Sequence, residues 1–97
     1  MIRHIVLFSV RRPEDMDAVL EGLSILKTIP HAQHLEVAPN GKVDPLGNEV
    51  DVVVYGEFAD AAALAAYKAH PVYSESIARV RPLRGLRISA DYEVPPA

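Results

Sequence analysis

Ile2-Arg3-His4-Ile5-Val6-Leu7-Phe8-Ser9-Val10 is the stretch on which the fold turns. Side chains alternate across a strand, so Ile2, His4, Val6, Phe8 and Val10 share one face and Ile5 and Leu7 lie on the other. Both faces are apolar, which predicts a strand covered on both sides. Val50 to Phe58, through Val52-Val53-Val54-Tyr55, has the same character and predicts a second such strand.

The segments around these two strands supply the remaining elements. Pro13 suits a first helical position, and Glu14, Asp15 and Asp17 suit the positive end of a helix dipole. Met16, Val19, Leu20, Leu23 and Leu26 recur at helical spacing until Pro30, which predicts an amphipathic helix of about four turns. Gln33 to Ala38 reads as a shorter strand, and Pro39-Asn40-Gly41 with Pro45-Leu46-Gly47-Asn48 punctuates a loop. Asp60 is an N-cap for an alanine-rich helix ending near His70. Pro71 interrupts it, and a second helical piece carries Tyr73, Ile77 and Val80 on one stripe before Pro82. Leu86, Ile88, Ala90 and Tyr92 alternate with Arg87, Ser89 and Asp91, a last strand with one polar face. Residues 1–94 are expected to form one domain and Pro95-Pro96-Ala97 a short tail.

The order β-α-β-β-α-β, with right-handed crossovers into one sheet, gives an α+β ferredoxin-like protomer with a four-stranded antiparallel sheet. Its first and third strands are central, and these are the two that are apolar on both faces. Two helices cover only one face of such a sheet. The other, with Ile5, Leu7, Val53 and Tyr55, would be an exposed apolar patch on a single chain. Pairing two sheets face to face removes it, so a homodimer is expected.

Composition narrows the chemistry. The chain has no cysteine, which excludes disulfides, zinc-thiolate sites and thiol nucleophiles. Thirteen acids against ten bases leave −3, too acidic for a generic nucleic-acid binder. The one basic run, Arg79, Arg81, Arg84 and Arg87, lacks interleaved aromatics and reads as a solvated face or a local anion site. No apolar run approaches the roughly 20 residues of a membrane span, and Met1-Ile2-Arg3-His4 leads straight into a strand pattern. A cytoplasmic location, no membrane partner and no nucleic-acid partner are therefore expected.

The same residues carry a resemblance. Ile2-Arg3-His4-Ile5-Val6-Leu7-Phe8 resembles the first strand of the stress-responsive dimeric α/β-barrel (Dabb) domain. Asp51 opening the third strand, Phe58-Ala59-Asp60, Ala66-Tyr67-Lys68-Ala69-His70-Pro71 and Asp91-Tyr92-Glu93 follow in the family's order. The resemblance implies a dimeric α/β barrel made from two ferredoxin-like sheets. Members of the family include stress-associated proteins and a plant branch of polyketide cyclases. More distant proteins of this architecture include small cofactor-free monooxygenases. In the cyclase branch the tyrosine matching Tyr67 and a histidine at the place of Tyr73 form the catalytic pair, while the histidine matching His4 lines the pocket. Here that place holds a tyrosine, so the resemblance supplies no general base at it.

Read from the residues, the sharpest constellation is His4 with Tyr67, His70 and Tyr73. The last three step by three and line one side of a helix that Pro71 bends. An imidazole and a phenol in an apolar pocket suit general acid/base work. His4, Tyr67 and His70 are the candidate catalytic residues, and Tyr73, Phe8 and Val52 the expected ligand contacts. The alternative is structural: core or rim tyrosines, a helix-ending His70 and a hydrogen-bonded buried His4. His31 and His34 would point to opposite faces of a strand, so they make no metal pair. Asp44, Glu49 and Asp51 read as solvated loop acids rather than a hard-cation site. No phosphate-binding glycine loop and no Gly-x-Ser-x-Gly elbow is present, and neither a metal nor a cofactor is expected.

The leading expectation is a dimeric barrel protein that binds a small apolar or aromatic molecule between sheet and helices. The second is a cofactor-free cyclase or monooxygenase-like enzyme in which His4 and Tyr67 move protons. A third is a structural stress protein that acts through assembly.

Overall fold

The computed structural model describes residues 1–95, so Pro96 and Ala97 of the expected tail lie outside the described residues. Four strands and three helices follow the expected order: β1 (Ile2–Val10), α1 (Met16–Ser24), β2 (His34–Pro39), β3 (Val52–Phe58), α2 (Ala61–Ala69), α3 (Pro71–Val80) and β4 (Arg84–Glu93). The strands form one antiparallel sheet in the order β2-β3-β1-β4, which puts the two doubly apolar strands in the middle. This is the ferredoxin-like α+β architecture. Among the described residues no helix is long and apolar enough to cross a membrane.

Register decides which side chains meet. Val6 pairs with Val54 and Phe8 with Val52 across β1 and β3, and both pairs are buried under the helices. They join Val19, Leu23, Leu26, Ile29, Phe58, Tyr67 and Val80 in one core. Each such side chain contributes about 1.5–3 kcal/mol by leaving water. The opposite face carries Ile5, Leu7, Val53 and Tyr55, only half-buried, and β4 adds Leu86, Ile88 and Tyr92 at 43–48% exposure.

Local chemistry explains the boundaries. The expected four-turn first helix runs from Pro13 to Thr28, but only its middle nine residues are α-helical and both ends tighten into 3-10 turns. At the second, Thr28 Oγ1 donates to the Ile25 carbonyl, and Pro30 stops the chain from continuing. Asp60 caps α2 by accepting the Ala63 N–H. His70 ends α2 and also caps α3, its Nδ1 accepting the Val72 N–H, while Pro71 sits at the first helical position. Gly22 lets α1 and α3 approach closely: a Cβ there would lie 2.9 Å from a Val80 methyl. The Ser76 hydroxyl donates to the Gly22 carbonyl across the same contact.

The third strand starts at Val52 rather than Val50, and Asp51 just before it is tied by its side chain to the end of β1. Its carboxylate accepts the Val10 N–H at 2.7 Å and pairs with Lys42 at 2.6 Å. In the preceding loop the positive φ falls on Lys42, at 53°, and not on Gly41. Lys42 N–H donates to the Asn40 side chain, which helps hold that turn.

Candidate functional site

A cavity of about 320 Å³ opens between the covered face of the sheet and the helices. Its floor is Val6, Phe8 and Val54, which alternation along β1 and β3 points to the helix side. Leu23 and Leu26 close it from the first helix and the turn after it, and Ser76, Ile77 and Val80 from α3. Tyr67 and Tyr73 form one wall, their ring centroids 5.3 Å apart and tilted edge-to-face. Arg81, Arg84 and Arg87 complete the lining. The volume falls in the ordinary range for small-molecule pockets, and an apolar body with a few polar groups is their usual composition.

Three of the expected site residues therefore line one cavity: Phe8, Tyr67 and Tyr73. Tyr67 is 1% exposed, and its ring packs at a tilt against Phe58, centroids 4.9 Å apart. Burial pushes its phenol well above the ordinary range, Tyr73 adds to this, and the Arg87 charge opposes it. Tyr67 therefore keeps its proton near neutral pH, which leaves its hydroxyl able to donate a hydrogen bond.

The other three expected residues stand apart from the lining. Val52 is fully buried in the core beside Phe8. His70 is occupied as the α3 cap, its ring 6.3 Å from that of His31. His4 is 1% exposed behind the tyrosine wall, with its ring 6.2 Å from both Tyr67 and Phe58. Its Nδ1 is hydrogen-bonded to Asp91 of β4, the residue opposite it in the β1–β4 ladder. A carboxylate accepts, so Nδ1 carries the proton and Nε2 is left as the basic nitrogen.

Sequence reading did not pair Asp91 with His4, nor did it bring the arginines to the cavity. Both follow from β4, whose Arg87, Ser89 and Asp91 lie on the same face as Phe8, Val6 and His4. The signal was the polar alternation of that strand, which has meaning only once its partner and register are known.

The remaining candidates separate. His34 pairs with Glu36 at the start of β2, and His31 is exposed. Asp44 accepts the Leu46 N–H within its own loop, while Asp51 is held by Val10 and Lys42. Among the described residues no three His, Asp or Glu side chains gather to hold a metal ion.

Known proteins bear on this geometry. A family model, the stress-responsive A/B barrel domain (Dabb), matches residues 2–94. A Dabb family protein with a ferredoxin-like fold from Mesorhizobium loti is 27% identical, superposes with a TM-score of 0.80, and covers 99% of this chain and 97% of its own. A dimeric ferredoxin-like protein of unknown function from Thermobifida fusca is 25% identical with a TM-score of 0.81, over 96% of this chain and 90% of its own. A putative antibiotic biosynthesis monooxygenase from Nitrosomonas europaea shares the fold, at 17% identity and a TM-score of 0.79, over 97% of this chain and 98% of its own. Among curated proteins none matches the sequence. With the family pattern spanning all four strands and all three helices, this chain belongs to the stress-responsive A/B barrel domain (Dabb) family.

Proposed function

We propose that this protein is a homodimer whose protomers each bind a small apolar or aromatic molecule in the cavity between sheet and helices. The observation that carries the binding reading is the cavity itself, apolar on its floor and walled by Tyr67 and Tyr73. The dimer rests on the half-covered face of the sheet. There, Arg3 Nε is the one buried side-chain nitrogen or oxygen without a partner among the described residues, and a second copy would bring an acceptor. The Thermobifida fusca relative is described as dimeric, which supports the same reading.

A neutral aromatic alcohol, 2-naphthalenemethanol, tests the cavity. Titrated into the protein and followed by NMR, it should shift the amides of Phe8, Tyr67, Tyr73 and Ile77 and leave those of β2 unmoved. Ile77→Trp, which fills the cavity from the half-buried side of α3, should abolish those shifts while the protein stays folded. Unmoved cavity amides at millimolar ligand would sink the reading.

The His4–Asp91 pair favours a second reading, a cofactor-free enzyme. Asp91 orients the imidazole, Nε2 takes a proton and the neutral Tyr67 phenol steadies the developing charge. It requires Nε2 to reach the substrate past the rings of Tyr67 and Phe58. His4→Ala with unchanged ligand affinity and lost turnover would favour it over binding alone.

A further inference from the structure

We infer that the ligand is an organic anion, an apolar or aromatic body bearing a carboxylate that the arginines at the cavity receive. This rests on the binding reading above and specifies its ligand. Three guanidinium groups, from Arg81, Arg84 and Arg87, line a cavity whose other walls are almost wholly apolar. The chain as a whole is acidic, with thirteen acids to ten bases, so the local excess of positive charge is not a reflection of composition.

None of the three has an acidic partner among the described residues. The acidic side chains paired with a basic one among the described residues are Asp91 with His4, Glu36 with His34, Asp51 with Lys42 and Glu75 with Arg79. Arg79, the fourth member of the basic run, has a counter-ion and does not line the cavity. Asp91, the acid on the same face of β4 as Arg87, is taken up by His4.

Two of the arginines are also held where they stand, and the helix dipole favours the third. Arg87 lies over the Phe8 ring, its guanidinium carbon 6.0 Å from the centroid, so a cation–π contact keeps the charge against the cavity floor. Arg84 spends one N–H on the Gly85 carbonyl at 3.0 Å, and its other donors remain for a ligand. Arg81 follows the last turn of α3, where a cation suits the helix dipole. The dipole accounts for Arg81 but not for Arg84 or Arg87, which belong to β4. Guanidinium forks bind carboxylates in two-point fashion, and beside an apolar wall that bond is less screened than in water.

Matched pairs of ligands test this with the intact protein: 2-naphthoate against 2-naphthalenemethanol, and octanoate against octanol, by isothermal titration calorimetry. The acid of each pair should bind about tenfold or more tightly than the alcohol, as expected for a charge-assisted bond. That advantage should shrink between 50 and 500 mM salt, roughly as screening shortens the range of charge. Arg84→Met and Arg87→Met should lower the affinity of the acids and leave that of the alcohols, whereas Arg79→Met should change neither. Equal binding of acid and alcohol overturns the anion inference and leaves the cavity reading standing. A preference that survives both arginine variants overturns it as well. If no member of either pair binds, the cavity reading fails and the inference with it.

Discussion

The two faces of the sheet are built from the same two central strands, yet only one is finished within a single chain. On the helix side Val6, Phe8, Val52, Val54 and Phe58 are buried, and the helices close over them. On the other side Ile5, Leu7, Val53 and Tyr55 stay half-open, flanked by Leu86, Ile88 and Tyr92 from β4. Residues one step apart in β3 thus live in different solvents. The covered face takes its stability from its own chain, while the open face is the one a second copy would cover in the proposed dimer.

The largest effect expected from breaking that contrast belongs to Leu7→Asp. Two copies of the charge would meet across one interface, costing about 5 kcal/mol or more per dimer. Sedimentation should then show a fall from twice 10.6 kDa to the mass of one chain. Undiminished dimer in that variant would mean that the open face is not the interface.

Neighbouring valines sharpen the comparison further. Val54→Ala, under the helices, should cost about 1.5–3 kcal/mol and enlarge the cavity. Its thermal midpoint should drop by the same amount at every protein concentration. Val53→Ala should cost less, and its penalty should change with dilution because the side chain is buried only by the partner. Identical concentration dependence in the two variants would erase the distinction between the faces.

The smallest effect lies at the edge of β3. Lys42 holds the Asp51 carboxyl below the usual carboxylate range, and the Val10 N–H adds to it. A lowered folded-state pKa means stability that is complete above the unfolded value and is lost as pH falls through the folded one. Asp51→Asn should therefore cost about 1 kcal/mol at pH 7 and flatten part of the acid limb of a stability profile. An unaltered acid limb would show that the contact carries no weight.

Much of this was legible in the sequence because it depends on local period and local chemistry. The alternation in Ile2–Val10 identified the faces, Asp60 marked a cap, and Pro71 split the second helical run in two. Phe8, Tyr67 and Tyr73 were expected as parts of one site, and the structure brings them to one cavity. The His4–Asp91 contact was not legible, since it joins residues 87 positions apart and depends on register. Arg81 follows the end of α3 while Arg84 and Arg87 belong to β4, so their convergence on one cavity was hidden in a run that read equally as a solvated face or a local anion site.

Register in β4 has a further consequence for how tolerant this molecule can be. The strand carries almost no core: from Leu86 to Glu93 every side chain is exposed in the single chain. A slip of one position would send Ile88 and Ala90 under the helices and turn Arg87 and Asp91 outward. Core burial opposes that slip only weakly, whereas the cavity arginines and the partner of His4 would be lost at once. Polar ties pin the alignment at both ends: Ser9 Oγ accepts the Leu86 N–H at 2.6 Å and Arg11 N–H donates to the Leu83 carbonyl at 3.1 Å at one, and Val94 N–H donates to the Met1 carbonyl at 2.8 Å and Arg3 to the Tyr92 hydroxyl at 3.2 Å at the other. The last strand therefore works as a scale clamped at its two ends by polar contacts rather than by a core, and every functional position along it is read from those clamps.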